Sequence, residues 1–217
     1  MRGVTFLAAV LFLLALPGSS QQDSGWVALF NGKDLSGWKV WGVEEWRVED
    51  GAIVGETVHG KYGYLATEKT YRDFTLRLRF KAEGGGNSGV FFRSTMHGEG
   101  FPGLIEGTQV EVDADPTHHT GGLYENPKRQ WLIWPTPACE AALDSKGWNE
   151  LELTAEENRI TTFLNGVRCV EFTDPAQQHT EGVIALQIHS VSSARRKEGA
   201  VKVRWKGLLI KELTSGK

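Results

Sequence analysis

Phe74-Thr-Leu-Arg-Leu-Arg-Phe80 is the stretch on which the fold turns. Its apolar residues at 74, 76, 78 and 80 alternate with Thr75, Arg77 and Arg79, the period-two pattern of a strand with one face on a core. Similar signals recur on both sides of it. Val27 to Phe30 leads into an Asn31-Gly32 turn, and Trp46-Arg-Val-Glu-Asp-Gly-Ala-Ile-Val54 reads as a hairpin about Asp50-Gly51. Trp148 to Leu153, Arg159 to Leu164 and Val167 to Phe172 form a meander whose second turn is Asn165-Gly166, and Val201 to Leu213 supplies the last strand or pair. No segment sustains a long 3.6-residue period, and neither an internal repeat nor a dividing linker is present. The pattern predicts an all-β fold, an antiparallel two-sheet sandwich or jelly roll, in a single domain over residues 21–217. Thr95 to Ala142 departs from it. Only Gly107 to Asp113 is a clear strand there, and the Pro, Gly, His and Trp content implies large loops of the kind that carry function.

The first residues read as an export signal rather than as part of the fold. Arg2 precedes an apolar run from Val4 to Leu16, too short to span a bilayer, and Pro17, Gly18 and Ser20 follow as breaker and small residues. The expectation is a signal peptide over residues 1–20, cleavage near Ser20–Gln21, and a periplasmic or secreted protein. A 40% hydrophobic composition supports a substantial core, and no second stretch is long enough for a membrane span. The net charge of -3 with interspersed signs argues against nucleic-acid or anionic-membrane partners, and the one basic run, Arg195-Arg196-Lys197, reads as solvated charge in a loop. Cys139 and Cys169, in a chain bound for an oxidising compartment, are either a disulfide or two separate buried thiols. Trp46, Trp148 and Trp205 lie on strand patterns and read as packing residues.

Three strands carry chemically capable side chains on one face. In Gly107-Thr-Gln-Val-Glu-Val-Asp113, Val110 and Val112 face one way and Gln109, Glu111 and Asp113 the other. In Gly86-Asn-Ser-Gly-Val-Phe-Phe-Arg93, a core face of Val90 and Phe92 leaves Phe91 and Arg93 outward. In Val183-Ile-Ala-Leu-Gln-Ile-His189, a core face of Ile184, Leu186 and Ile188 leaves Gln187 and His189 outward. If the strands are neighbours, a cation, carboxylates, amides and an imidazole line one surface, a constellation suited to acid/base work on a substrate lying across the sheet. The alternative is a solvated outer face, with Arg93 in a structural ion pair and His189 a packed strand-end residue. Asp113-Ala-Asp-Pro-Thr-His-His119 offers oxygen and imidazole donors for a divalent metal, though the spacing matches no established ligand motif and loop capping by Asp115-Pro116 explains it more simply. Tyr124, Trp131 and Trp134 are candidate platforms for sugar rings, Trp134 above all.

Taken in order, Leu29-Phe-Asn-Gly-Lys-Asp-Leu-Ser-Gly-Trp38, Trp46 to Val54, Asp73 to Phe80, Gly86 to Arg93, Gly122-Leu-Tyr124, Trp148-Asn149, Leu164-Asn-Gly-Val167 and Gly182 to His189 make the chain resemble the 3-keto-disaccharide hydrolase family. The resemblance implies a concanavalin A-like lectin/glucanase jelly roll with a concave sheet that holds carbohydrate. It also implies cleavage of 3-keto-glycosides. The ketone acidifies the C2 proton, so a base can form an enolate, expel the C1 substituent and let water add back. On that reading Glu111 or His189 is the base, Arg93 supports the enolate oxygen and Asp113 orients the imidazole or helps bind a cation. Gln109, Gln187, Tyr124, Trp134 and His119 contact the sugar. Glucanases of similar fold place carboxylates at alternating positions of one strand; Gln109 stands at the first of these here. Two other readings stay open: a conventional glycosidase using Glu111 and Asp113, and a non-catalytic carbohydrate-binding module.

Overall fold

In the computed structural model, which describes residues 25–98, 104–115, 117–192 and 201–214, the strand Phe74–Glu83 (β6) buries alternate residues. Residues 1–24, with the expected signal peptide, and Arg195 to Lys197 lie outside the described residues, as does Pro116. β6 sits inside an antiparallel sheet, between Asn149–Glu156 (β11) and Lys202–Glu212 (β15). Outward of β11 run Arg159–Leu164 (β12) and Val167–Thr173 (β13). Outward of β15 run Ala52–Glu56 (β4) and Glu45–Glu49 (β3), and the short strand Val27–Ala28 (β1) also pairs with β15. Asp50 and Gly51, with φ of 50° and 71°, make the β3–β4 turn, and Asn165 and Gly166, at 50° and 80°, make the β12–β13 turn. Both central residues of a twist-matched two-residue hairpin loop need φ > 0, which Asp-Gly and Asn-Gly supply at little steric cost.

The second sheet is also antiparallel and orders its strands β10-β9-β8-β7-β14-β5-β2. These are Gln130–Ile133 (β10), Leu123–Asn126 (β9), Ile105–Asp113 (β8), Asn87–Met96 (β7), Val183–Ile188 (β14), Gly63–Thr67 (β5) and Trp38–Gly42 (β2). Phe74, Leu76, Leu78, Phe80 and Trp205 from the first sheet pack with Val90, Phe92, Val110, Val112, Ile184, Leu186 and Ile188 from the second in one core. Each such side chain contributes about 1.5–3 kcal/mol by leaving water. The architecture is the expected two-sheet jelly-roll sandwich. The loop-rich region holds more structure than its sequence implies: β9, β10 and a short helix, Pro137–Ala141 (α1), lie within it. α1 is capped by Thr136, whose hydroxyl accepts from the Cys139 N–H.

Two local features shape the second sheet. The β7–β8 register slips between Phe92 and Thr95, and the β7–β14 register slips between Val183 and Ala185, a bulge where Arg93 takes φ of 49°. An added residue re-aims the side chains beside it. Cys139 and Cys169 are bonded, tying α1 to β13. Their sulfurs leave no room for a side chain at Gly121, where a Cβ would lie 2.6 Å from Cys169 Sγ and φ is 92°. Trp205 is core, Trp46 packs at its margin, and Trp148 is instead half-buried at the surface, with Lys206 Nζ 3.9 Å from its ring centroid.

Candidate active site

The outer face of the second sheet carries a cavity of 580 Å³. Strand register builds its floor. Asn87 lies opposite Asp113, Gly89 opposite Glu111 and Phe91 opposite Gln109 across β7 and β8, while Gln187 lies opposite Tyr64 across β14 and β5. Alternation turns all of these away from the core. The alternative of a solvated face is not what the structure shows: Gln109, Glu111 and Asp113 are buried, Glu111 being 5% exposed. Loops and aromatic rings wall the face in: Tyr62, His118, His119, Tyr124 and Trp131 line the cavity with them.

Glu111 is the centre of the network. Asn87 Nδ2 donates to its Oε1 at 2.7 Å and Gln109 Nε2 donates to its Oε2 at 2.8 Å. Burial pushes its carboxyl up to about 8; the Asn87 hydrogen bond opposes this, the neighbouring Asp113 charge reinforces it, and the Gln109 bond again opposes. Asp113 stands behind the cavity rather than in its lining, taking Asn87 Nδ2 at 3.0 Å and facing His118 Nδ1 at 3.0 Å. Its backbone exchanges two hydrogen bonds with the Thr120 hydroxyl.

His189 closes another wall. Its Nδ1 lies 2.8 Å from the Ser190 carbonyl oxygen, which can only accept, so Nδ1 carries a proton and Nε2 of the neutral ring has a free lone pair. Tyr62 O–H therefore donates to Nε2, at 3.2 Å. Gln187 Nε2 donates to Tyr64 Oη at 3.3 Å, and Gln109 reaches across Gly89, where a Cβ would come within 2.3 Å of Gln109 Oε1. Burial raises the Tyr64 and Tyr124 phenols, Tyr124 further through Tyr62 and Glu111.

The structure thus brings Glu111, Gln109, Gln187, His189, Tyr124 and His119 to one cavity, with Asp113 just behind. Arg93 is not among them. The bulge swings its guanidinium to the far side of β7, where Nη2 donates to Asp73 Oδ1 at 2.7 Å and Nη1 to the Glu157 carbonyl at 2.7 Å. Nε donates to the Arg72 carbonyl. Strict alternation cannot anticipate such a turn, and Arg93 pairs with Asp73, not with Glu111. Asp113 meets His118, not the His189 imidazole. Trp134 is 58% exposed and stacks on His119 at 4.5 Å between centroids, outside the lining; Trp131 is the tryptophan in the wall. The two loop histidines diverge, His118 to Asp113 and His119 to Glu140 Oε1 at 2.7 Å, while Asp115 accepts from Thr117. Among the described residues no group of three or more His, Cys, Asp and Glu is gathered as a metal site. Sequence patterns gave no role to Asn87, Tyr62 or Tyr64, and gave His118 one only as a possible metal donor. Alternation already sets Asn87 beside Gly89 and Phe91, and Tyr62-Gly-Tyr64 has the same period.

The family match and the similar proteins together indicate a carbohydrate-active, glycosyl hydrolase-like protein on a lectin-type jelly roll. The family model for the 3-keto-α-glucoside-1,2-lyase-like domain matches residues 25–211, and the chain belongs to this family. A 3-keto-disaccharide hydrolase of Bacteroides thetaiotaomicron is 33% identical over 95 residues, 39% of this chain, and the match spans 32% of that relative's length. A solved structure from Parabacteroides distasonis with a provisional glycosyl hydrolase assignment superposes with a TM-score of 0.66 at 22% identity, over 92% of this chain and 99% of that one. The carbohydrate-binding module CBM66 of Bacillus subtilis gives 0.57 at 16% identity, over 81% and 96%. At such identities the two structures show the fold.

Proposed function

We propose that the protein, after export, cleaves 3-keto-glycosides by elimination and hydration. The observation that carries this reading is a buried glutamic acid, its carboxyl raised to about 8, in one cavity with a histidine whose Nε2 is held as an acceptor. His189 Nε2 removes the C2 proton, and the electron pair moves into an enolate on the C3 oxygen. When substrate enters, the Tyr62 hydroxyl turns from His189 Nε2 to the C3 oxygen, which frees the imidazole lone pair; Tyr62 and Tyr124 are then the donors to that oxygen, since the described lining contains no Lys or Arg. The enolate reforms the ketone, the C1–O bond breaks, and Glu111 gives its proton to the leaving oxygen. Water then adds at C1, losing a proton to the Glu111 carboxylate, while the His189 imidazolium returns a proton to C2. Both groups end as they began.

The arrangement gives less support to a conventional glycosidase. That chemistry needs two carboxyl groups flanking the bond, and Asp113 is committed to Asn87 and His118 behind the lining. The test is purified protein with a 3-keto-glucoside and its unoxidised parent in deuterated water. Only the keto substrate should be cleaved, with deuterium at C2 of the product under conditions where the free keto sugar does not itself exchange. Equal turnover of both without C2 label refutes the elimination route, and binding without turnover points to a carbohydrate-binding module. The pH dependence adds a check. Because the Glu111 carboxyl is raised, it is protonated at neutral pH and loses its proton as pH rises through about 8. The rate should fall across that range, and Glu111→Gln should lower kcat by about 10²–10⁴-fold.

A further inference from the structure

Glu44 is a buried acid outside the cavity. It is 4% exposed and lies in the turn between β2 and β3, where the chain leaves the edge of the second sheet for the edge of the first. Three backbone N–H groups converge on its carboxylate. Val58 donates to Oε2 at 2.5 Å, His59 to the same oxygen at 2.9 Å, and Lys61 to Oε1 at 2.5 Å. Neighbouring N–H groups of a turned backbone form a concavity that favours an anion, and charge-assisted bonds of this kind are the stronger class. All three donors belong to the 57–62 connection, which carries the chain from β4 in the first sheet back to β5 in the second. Thr57 N–H donates to the Val201 carbonyl at 3.0 Å, and strand pairing resumes at Gly63. Between those anchors the Glu44 carboxylate fixes the path. Glycines let the two connections meet: a Cβ at Gly63 would lie 2.7 Å from Glu44 Cβ, and one at Gly42, where φ is 88°, would lie 2.6 Å from the Tyr62 carbonyl oxygen.

We infer that Glu44 is a positioning residue for Tyr62: its carboxylate holds the backbone of the 57–62 connection so that the Tyr62 hydroxyl stands within reach of both His189 and the substrate oxygen. Tyr62 follows directly on the clamped N–H of Lys61. Its ring meets His189 edge-on, 4.7 Å between centroids, with the hydroxyl 3.2 Å from Nε2. The inference rests on the elimination reading for the use made of that hydroxyl, which serves Nε2 first and the C3 oxygen afterwards. A hydroxyl exchanges one acceptor for another by side-chain rotation alone only while its Cα stays in place. A misplacement of about 1 Å, caused by a residue away from the chemistry, can cost about 10²-fold in rate. Glu44→Gln nearly keeps the shape but leaves a single oxygen; the new NH₂ faces a backbone N–H, donor against donor, and the connection must shift.

The test joins a structural readout to a kinetic one on the full chain. The structural readout is the NMR resonance of the His189 Nε2 nitrogen at mildly alkaline pH, with Tyr62→Phe marking the position it takes without its donor. Glu44→Gln should move the resonance toward that position while circular dichroism stays native. On a 3-keto-glucoside it should lower kcat about tenfold, the value of about one hydrogen bond, with KM little changed. In the Tyr62→Phe background the same substitution should cost less than about twofold, because coupled residues are not additive. A merely structural role would cost the same factor in both backgrounds. Glu44→Asp, which keeps the charge and shortens the reach, should fall between wild type and Glu44→Gln, and it decides the matter if Glu44→Gln fails to fold. A resonance left at its wild-type position overturns the inference, as does an equal kinetic loss with and without the Tyr62 hydroxyl. If the resonance moves and no 3-keto-glycoside is cleaved by the wild type, only the elimination reading falls. If cleavage proceeds and Glu44→Gln changes neither resonance nor kcat, only the present inference falls.

Discussion

Gly89 shows how much one residue decides here. It sits opposite Glu111, and its missing side chain is the space into which Gln109 extends. Its φ lies outside the left-handed region, so alanine is sterically acceptable to the backbone and even restricts the unfolded chain by about 0.4–1 kcal/mol. Gly89→Ala should therefore leave the melting temperature within a few degrees of wild type while displacing the Gln109 amide from Glu111. We expect kcat/KM to fall at least about tenfold, the price of one such hydrogen bond, measured beside thermal unfolding of the same sample; unchanged kcat/KM would show that Gln109 has no part in the reaction. At this scale the sequence was informative wherever alternation ran unbroken. Glu111, Gln109, Gln187 and His189 all take the face their period assigns. It could not show that this face is buried, because burial comes from Tyr62, Tyr124 and Trp131 on other parts of the sheet and from the loop after β8 folding His118 back over it.

Among the elements, the 117–122 loop and its fastenings matter most. The Cys139–Cys169 bridge packs against Gly121, Cys139 Sγ lies 3.5 Å from the Thr120 carbonyl, and Thr162 Oγ1 donates to the Gly121 carbonyl at 2.7 Å. The loop so held presents His118 and His119 to the cavity. Paired cysteines 30 residues apart stabilise by about 3–4 kcal/mol through the entropy of the unfolded loop. Cys139→Ser/Cys169→Ser, or a reductant, should lower stability by that order in a denaturant titration and weaken substrate binding as the histidines loosen. The unfolded native chain should resist thiol alkylation until reduced; immediate labelling of both thiols would exclude the bond. The pairing was open in the sequence because cysteine spacing does not encode proximity. The strands β9 and β10 were equally hard to read, being four residues each and set among turns.

Across the whole molecule, Arg93 fastens one sheet to the other. It leaves β7 of the second sheet and meets Asp73, at the entry to β6 of the first, and the carbonyl of Glu157 in the β11–β12 turn. Asp73 Oδ1 also accepts from the Glu157 N–H at 2.8 Å. Removing one partner of a buried pair costs about 3–5 kcal/mol, because the other charge is stranded. Arg93→Met should accordingly unfold at lower denaturant, while the fraction still folded keeps near-native kcat. A large loss of kcat at full folding would return Arg93 to the chemistry. The sandwich itself was legible from its alternating strands, and the cross-sheet fastening was not, since it depends on the register slip between Phe92 and Thr95. That slip has a consequence for sequence length. Upstream of it β7 decorates the cavity; downstream the same strand turns a different set of residues to each side. Deleting Ser94 would remove the extra residue, restore strict alternation and turn Arg93 away from Asp73, whereas a conservative substitution at the same place would leave the slip intact. The strand tolerates changes of letter far better than changes of count.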